Sequence, residues 1–355
     1  MTYYIQKIAE NYIRNLTDEP EQMIVHESYL QGLSNDEFKG GFLALQRLVR
    51  SLYIDIKNNP LDFGVPAIEI DEGNPKSKLD FTKSNTGFMR VPNLLYALGL
   101  TGRLSDDMNL SVNNEALFAA AKALKITKVK DLIEKVKDYG FEILGTNELT
   151  ISYPDCRALT AGLKSMAEAR AKCRPQDVEY FCLVMPQLLE KETIKKISFG
   201  FDALHKSLNE TNKPIAQTLH GFALTGAKAN INSILCGVRS NSWSCVYTGK
   251  KSKRVLMTIS TRQESLNIKL NLENMNSYMD EVMEMPEDFR EKIRTNGWGC
   301  SKETCNPRCA GGFVFEMGNV VYSKCRGGAF FFGNISANDV NNLKTLLECE
   351  MRREA

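Results

Sequence analysis

The sequence predicts an α+β protein in two parts: a mainly helical part over residues 1–195, and a C-terminal antiparallel sheet packed with helices over residues 196–355. Three observations predict it. Apolar residues recur at helical spacing through the first part, as in Phe42, Leu45, Val49, Leu52 and Ile56. In the second part they alternate, with Leu266, Ile268, Leu270 and Leu272 on one side and Asn267, Lys269 and Asn271 on the other. Between the parts, in EKETIKKISFG around residues 190–200, charge rises and the periodicity breaks. A chain of 355 residues is also too long for one ordinary core and suits two domains.

Taken in order, Ile5, Ile8, Tyr12 and Ile13 begin a first helix, and FLALQRLVRSLYIDIKNNP a second that stops at Asn59-Pro60. Val65 to Ile70 reads as a short strand, and GNPKSKLDFTKSNTG as loop from its Gly, Pro, Ser and Asn content. Helices follow over about 113–124 and 127–139. The second has Val129, Leu132, Ile133 and Val136 on one face, Thr127 as N-cap and Gly140 just past its end. FEILGTNELTISYPD reads as a hairpin, and further helices as 157–172 and 175–190. The second part opens with a helical stretch at 213–236, then the strands SWSCVYTG, VLMTIST and LNIKLNL. Met275, Met279, Val282 and Met283 mark a helix, and Pro286 starts another. FVFEM and VVYSK form a hairpin, AFFFGNI a further strand, and Ser336 caps a last helix. No internal repeat is visible.

Composition excludes several classes. With 43% hydrophobic and 25% charged residues the chain is neither disordered nor a coiled-coil rod. Its 45 basic and 43 acidic residues leave a net charge of +2, which gives no whole-chain footprint for nucleic acid or an anionic membrane. MTYYIQKIAENYIRNL carries Lys7, Glu10 and Arg14 and is no signal peptide, and no long apolar run is present. A cytoplasmic protein without membrane segments is therefore expected, and there thiols stay reduced. Clustered cysteines then point to metal or catalysis before disulfides.

Four of the ten cysteines lie between residues 300 and 325. With Gly318-Asn319 as a hairpin turn, Met317 faces Val320, Phe315 faces Tyr322, and Gly312 faces Cys325. That register returns Cys325 to the neighbourhood of Cys309, with Cys300 and Cys305 in the same loop. Four convergent thiols suit a tetrahedral Zn²⁺, and a loop with so little core gains folding energy from one. The expected metal ligands are Cys300, Cys305, Cys309 and Cys325. Two other readings stay open: a redox pair whose thiols are tuned by Lys302, Arg308, Lys324 and Arg326, and cysteines packed as small apolar residues.

Elsewhere the chemistry is sparse. His26, His205 and His220 stand in no ligand or triad spacing, and no phosphate loop, nucleophile elbow or dinucleotide fingerprint is present. Trp243, Trp298, Tyr247 and Phe330 to Phe332 are read first as ordinary core; the functional alternative is a small-molecule pocket that they line, with Arg254 and Lys269 at its rim. Helix, helix and hairpin over 113–153 suit a winged helix-turn-helix bearing Lys128, Lys130, Lys135 and Lys137. Asp131, Glu134 and Asp138 share that surface and argue against nucleic acid.

YTGKKSKRVLMTISTRQESLNIKLNL, with the helices and strands after it, resembles the uncharacterised small α+β domains of the YdhG type over about residues 200–355. The resemblance implies an antiparallel sheet packed on helices, and no activity. The functional expectation is a non-enzymatic binding or regulatory protein with a cysteine-bound structural zinc. The alternatives are a DNA-binding regulator with a ligand- or redox-sensing C-terminal domain, and a thiol-based redox enzyme.

Overall fold

The structure, a computed structural model, describes residues 2–17, 19, 23–71, 73–174, 178–193, 199–238, 242–262, 264–297, 299–300, 312–325 and 330–352. The chain forms two compact units, Met1–Ile197 and Ser198–Ala355. The class is α+β, with the first unit mainly helical. Among the described residues no helix is long and apolar enough to cross a membrane.

Unit 1 runs α1 (Tyr4–Asn15), α2 (Asn35–Asn58), α3 (Ser77–Thr101), β1 (Arg103–Leu104), β2 (Leu110–Asn113), α4 (Asn114–Ala123), α5 (Val129–Lys137), β3 (Glu142–Leu144), β4 (Glu148–Ser152), α6 (Ala158–Ala171) and α7 (Val178–Cys182). A capping box starts α2: Ser34 Oγ accepts from the Glu37 N–H, and the Glu37 carboxylate accepts from the Ser34 N–H. The small residues of α6 let it lie against both α2 and α3. A Cβ on Gly41 would sit 2.1 Å from the Ala158 carbonyl oxygen, and one on Gly99 2.7 Å from that of Leu163. Tyr12, Tyr53 and Phe88 fill the core with ring centroids 4.7–5.9 Å apart. The Tyr53 hydroxyl donates to the Cys182 carbonyl at 2.7 Å, so its burial leaves no orphan donor.

The small sheet has the order β1-β2-β4-β3, with Leu110 opposite Ile151 and Val112 opposite Leu149. Here a strand and two helices lead into a hairpin whose second strand pairs with the first strand. Three sequence expectations fail in this unit. Most of GNPKSKLDFTKSNTG belongs to α3 and is not loop. The 65–70 strand is reduced to one bridge, Tyr3 with Glu69, and among the described residues no strand lies beside it. The 175–190 helix is the short α7 and a 3-10 turn at Pro186–Leu189; Pro186 lacks the N–H a continuing helix needs.

Unit 2 runs α8 (Phe201–Lys206), α9 (Asn212–Thr225), β5 (Asn230–Gly237), β6 (Ser242–Thr248), β7 (Val255–Arg262), β8 (Ser265–Leu270), α10 (Met279–Met283), α11 (Glu287–Thr295), β9 (Gly312–Met317), β10 (Val320–Cys325), β11 (Phe330–Gly333) and α12 (Asp339–Arg352). The helix expected over 213–236 ends at Thr225, and its remainder supplies β5. Five antiparallel strands pair in the order β11-β8-β7-β6-β5, and β9-β10 is a separate hairpin. One face of the large sheet carries the buried Cys245, Tyr247, Ile259, Ile268, Phe330 and Phe332. α9 and α12 pack there, Phe289 of α11 stacks on Phe332 at 5.5 Å, and Phe315 of β9 meets Phe330 at 6.1 Å. All these partners reach the sheet from one side.

Candidate functional site

The other face of the sheet follows from the alternation that buries the first. Its registers align residues in rows across all five strands. One row is Leu235, Ser244, Ser260, Asn267 and Gly333. The next is Ser233, Val246, Thr258, Lys269 and Phe331. The middle of the face is thus made of short side chains, and its edges of large ones. The result is a trough of about 430 Å³ with Leu235 and Phe331 as walls, Ser244, Ser260 and Asn267 as floor, and Arg262 at one end. Leu235 is 55% and Phe331 41% exposed. Gly333 keeps the floor low beside Asn267, whose Oδ1 would lie 3.2 Å from any Cβ there. Lys269 Nζ stands 5.5 Å over the Phe331 ring. Among the described open-face positions the charged side chains are Arg262 and Lys269, both cationic.

The three residues assigned to a pocket from sequence have different places. Trp243 adjoins the trough along β6, but its side chain shares the covered face of Cys245 and Tyr247; it is 3% exposed, its ring meets Phe199 edge-on at 5.1 Å, and its Nε1–H has no partner among the described residues. Lys269 lies on the open face at the rim. Arg254 does not join them, because its Nη2 donates to the buried Glu350 carboxylate at 2.5 Å and its Nη1 lies 3.8 Å from Glu273. Tyr247, Phe330 and Phe332 point to the opposite, helix-covered face, as the strand alternation requires, and Trp298 lies outside the described residues. Sequence reasoning missed Ser244, Ser260 and Asn267, whose only signal was the wet side of the alternation.

In the cysteine segment the structure has the hairpin register Met317–Val320, Phe315–Tyr322 and Gly312–Cys325. Cys300 donates its N–H to the Ser323 carbonyl, and a Cβ on Gly312 would lie 2.7 Å from Cys300 Sγ. The two ends of the segment therefore meet at one glycine. Cys305 and Cys309 lie outside the described residues, as do Lys302, Arg308 and Arg326. Among the described residues no three His, Cys, Asp or Glu side chains group to hold a metal. Lys324 is not a thiol partner: its Nζ donates to the carbonyls of Arg294 and Asn296 at the end of α11, and burial lowers its pKa. Of the other thiols, Cys182, Cys245 and Cys349 are buried, and burial pushes Cys245 up to about 11, so it is inert as a nucleophile.

On α5, Lys137 pairs with Glu134 at 2.8 Å and Lys135 with Asp138 at 3.2 Å. No family model, curated protein or solved structure matches the chain.

Proposed function

We propose that the chain is a non-enzymatic binding or regulatory protein, cytoplasmic, whose binding surface is the open face of the C-terminal sheet. The observation that carries this is the trough: a polar floor of short side chains, apolar walls and, at the described positions of the face, two cations without a carboxylate. Such a surface suits a ligand that joins an apolar or aromatic body to an anionic group. The layout of unit 2, a sheet with helices on one face, is also what the likeness to YdhG-type domains implies. The aromatic sulfonate ANS is a direct probe. It should fluoresce with the native protein and lose most of that signal with Phe331→Ala or Lys269→Ala. An unchanged signal in both variants sinks the reading.

A structural zinc held by Cys300, Cys305, Cys309 and Cys325 belongs to the same proposal. Its support is the meeting of Cys300 and Cys325 at Gly312, two thiols from distant ends of a segment with little core. Protein prepared without chelator should contain about one zinc per chain, with its thiols shielded until chelation. Metal-free protein with reactive thiols would remove the zinc.

The strand, two helices and hairpin of unit 1, read as a winged helix, favour a second reading, a DNA-binding regulator. The paired lysines of α5 count against it, since a lysine held by Glu134 or Asp138 neutralises phosphate less well. A duplex mobility shift that weakens with salt and with alanine at Lys128 and Lys130 would support this reading; no shift at low salt would end it.

A further inference from the structure

From the open face of the C-terminal sheet we infer a docking surface for single-stranded nucleic acid. The inference rests on the binding-face reading above and names its occupant.

Shape is the first argument. A site for a compact small molecule usually encloses most of it. This face is a shallow furrow across five strands, walled at the edges and closed by nothing else described in unit 2. A furrow of that form fits an extended chain that lies along it better than a ligand that must be engulfed.

Charge is the second. Arg262 and Thr258 lie four residues apart on β7, about 13 Å at roughly 3.3 Å per residue. Lys269 stands directly opposite Thr258. Beyond Thr258 the strand leads back to the β6–β7 turn, with Lys250, Lys251 and Lys253. Cations are therefore spaced along the strand direction and are not gathered at one point. A polymer with a charge on every unit engages several of these cations at once, where a single carboxylate or phosphate engages one.

Stacking is the third. Phe331 projects from the open face on an outer strand, with Lys269 over its ring. An exposed aromatic on an antiparallel sheet, flanked by a cation, is the platform on which sheet-based RNA binders stack bases. Asn267 on the floor, with Ser244 and Ser260 beside it, offers hydrogen bonds to base edges or 2′-hydroxyls. Duplex nucleic acid has no splayed base to stack, so the arrangement favours the single strand.

The test is fluorescence anisotropy of the full chain with short labelled oligo-U and oligo-dT at low salt. Binding to either should weaken steeply as salt rises. Phe331→Ala should cost about tenfold, and Lys269→Glu should weaken binding and flatten the salt dependence. Both side chains are on the surface, and an unchanged melting temperature shows each variant is folded. If neither oligonucleotide binds while ANS still responds to Phe331, the nucleic-acid inference fails and the binding face stands. If ANS fails as well, both fall. Oligonucleotide binding indifferent to both substitutions, or displaced as readily by free UMP as by unlabelled strand, also overturns the inference.

Discussion

Arg254 and Glu350 meet at 2.5 Å although they are 96 positions apart in sequence, and Glu350 is 1% exposed. The carboxylate is also held by the N–H groups of Glu273 and Asn274, the Asn274 amide and the Tyr278 hydroxyl. It ties the end of α12 to the chain just after β8. Glu350→Ala strands every one of these donors, and a loss of about 3–5 kcal/mol is expected. Arg254→Ala leaves the carboxylate its remaining donors and should cost less, about 2 kcal/mol. Urea unfolding of the two variants checks the order; a larger loss for Arg254→Ala would show that the cation, and not the donor set, holds Glu350.

Two adjacent glycines of α2 should respond to alanine with opposite signs. A Cβ on Gly41 meets the Ala158 backbone at 2.1 Å, whereas one on Gly40 has nothing within 4 Å. Gly41→Ala must push α2 away from α6 and should lose about 1–3 kcal/mol. Gly40→Ala only removes backbone freedom from an exposed helical site and should gain about 0.5–1 kcal/mol. Melting temperatures that fall or rise together would contradict the α2–α6 contact.

The fold was legible where local chemistry decides it. Gly318-Asn319 fixed the β9–β10 register, because a two-residue turn leaves no freedom to slip. The alternation in β7 and β8 gave both faces of the large sheet, and with them the open one. It was illegible where packing overrides composition. Ser84, Asn85 and Gly87 look like loop residues, yet they are buried in α3, where Gly87 lets Val65 come close. β5 follows α9 after a few small residues, and nothing in NINSILCG outweighs the helical periodicity before it. The site was half legible for the same reason. Lys269 and Phe331 share a row that the strand period implies, while the partner of Arg254 lies on a helix that no local pattern connects to it.

Stability of unit 2 should depend on pH through His220. Its Nδ1 lies 2.7 Å from the Tyr247 hydroxyl, and its ring stacks on Phe201 at 3.8 Å. Burial lowers its pKa below the ordinary 6.5, with Asp202 opposing weakly. The Tyr247 hydroxyl, whose own pKa burial raises, stays protonated and shares a hydrogen bond with the imidazole. A base with a depressed folded pKa binds more protons when unfolded. Its contribution is therefore complete above 6.5 and is lost as pH falls through the lower, folded value. His220→Gln keeps a hydrogen-bonding partner for Tyr247 and removes the titration. The wild type should lose stability to urea between about pH 7.5 and about pH 5 by more than the variant does. Equal losses would mean that His220 titrates alike in the folded and unfolded chain, and that its stacking on Phe201 and bond to Tyr247 do not discriminate between the two protonation states.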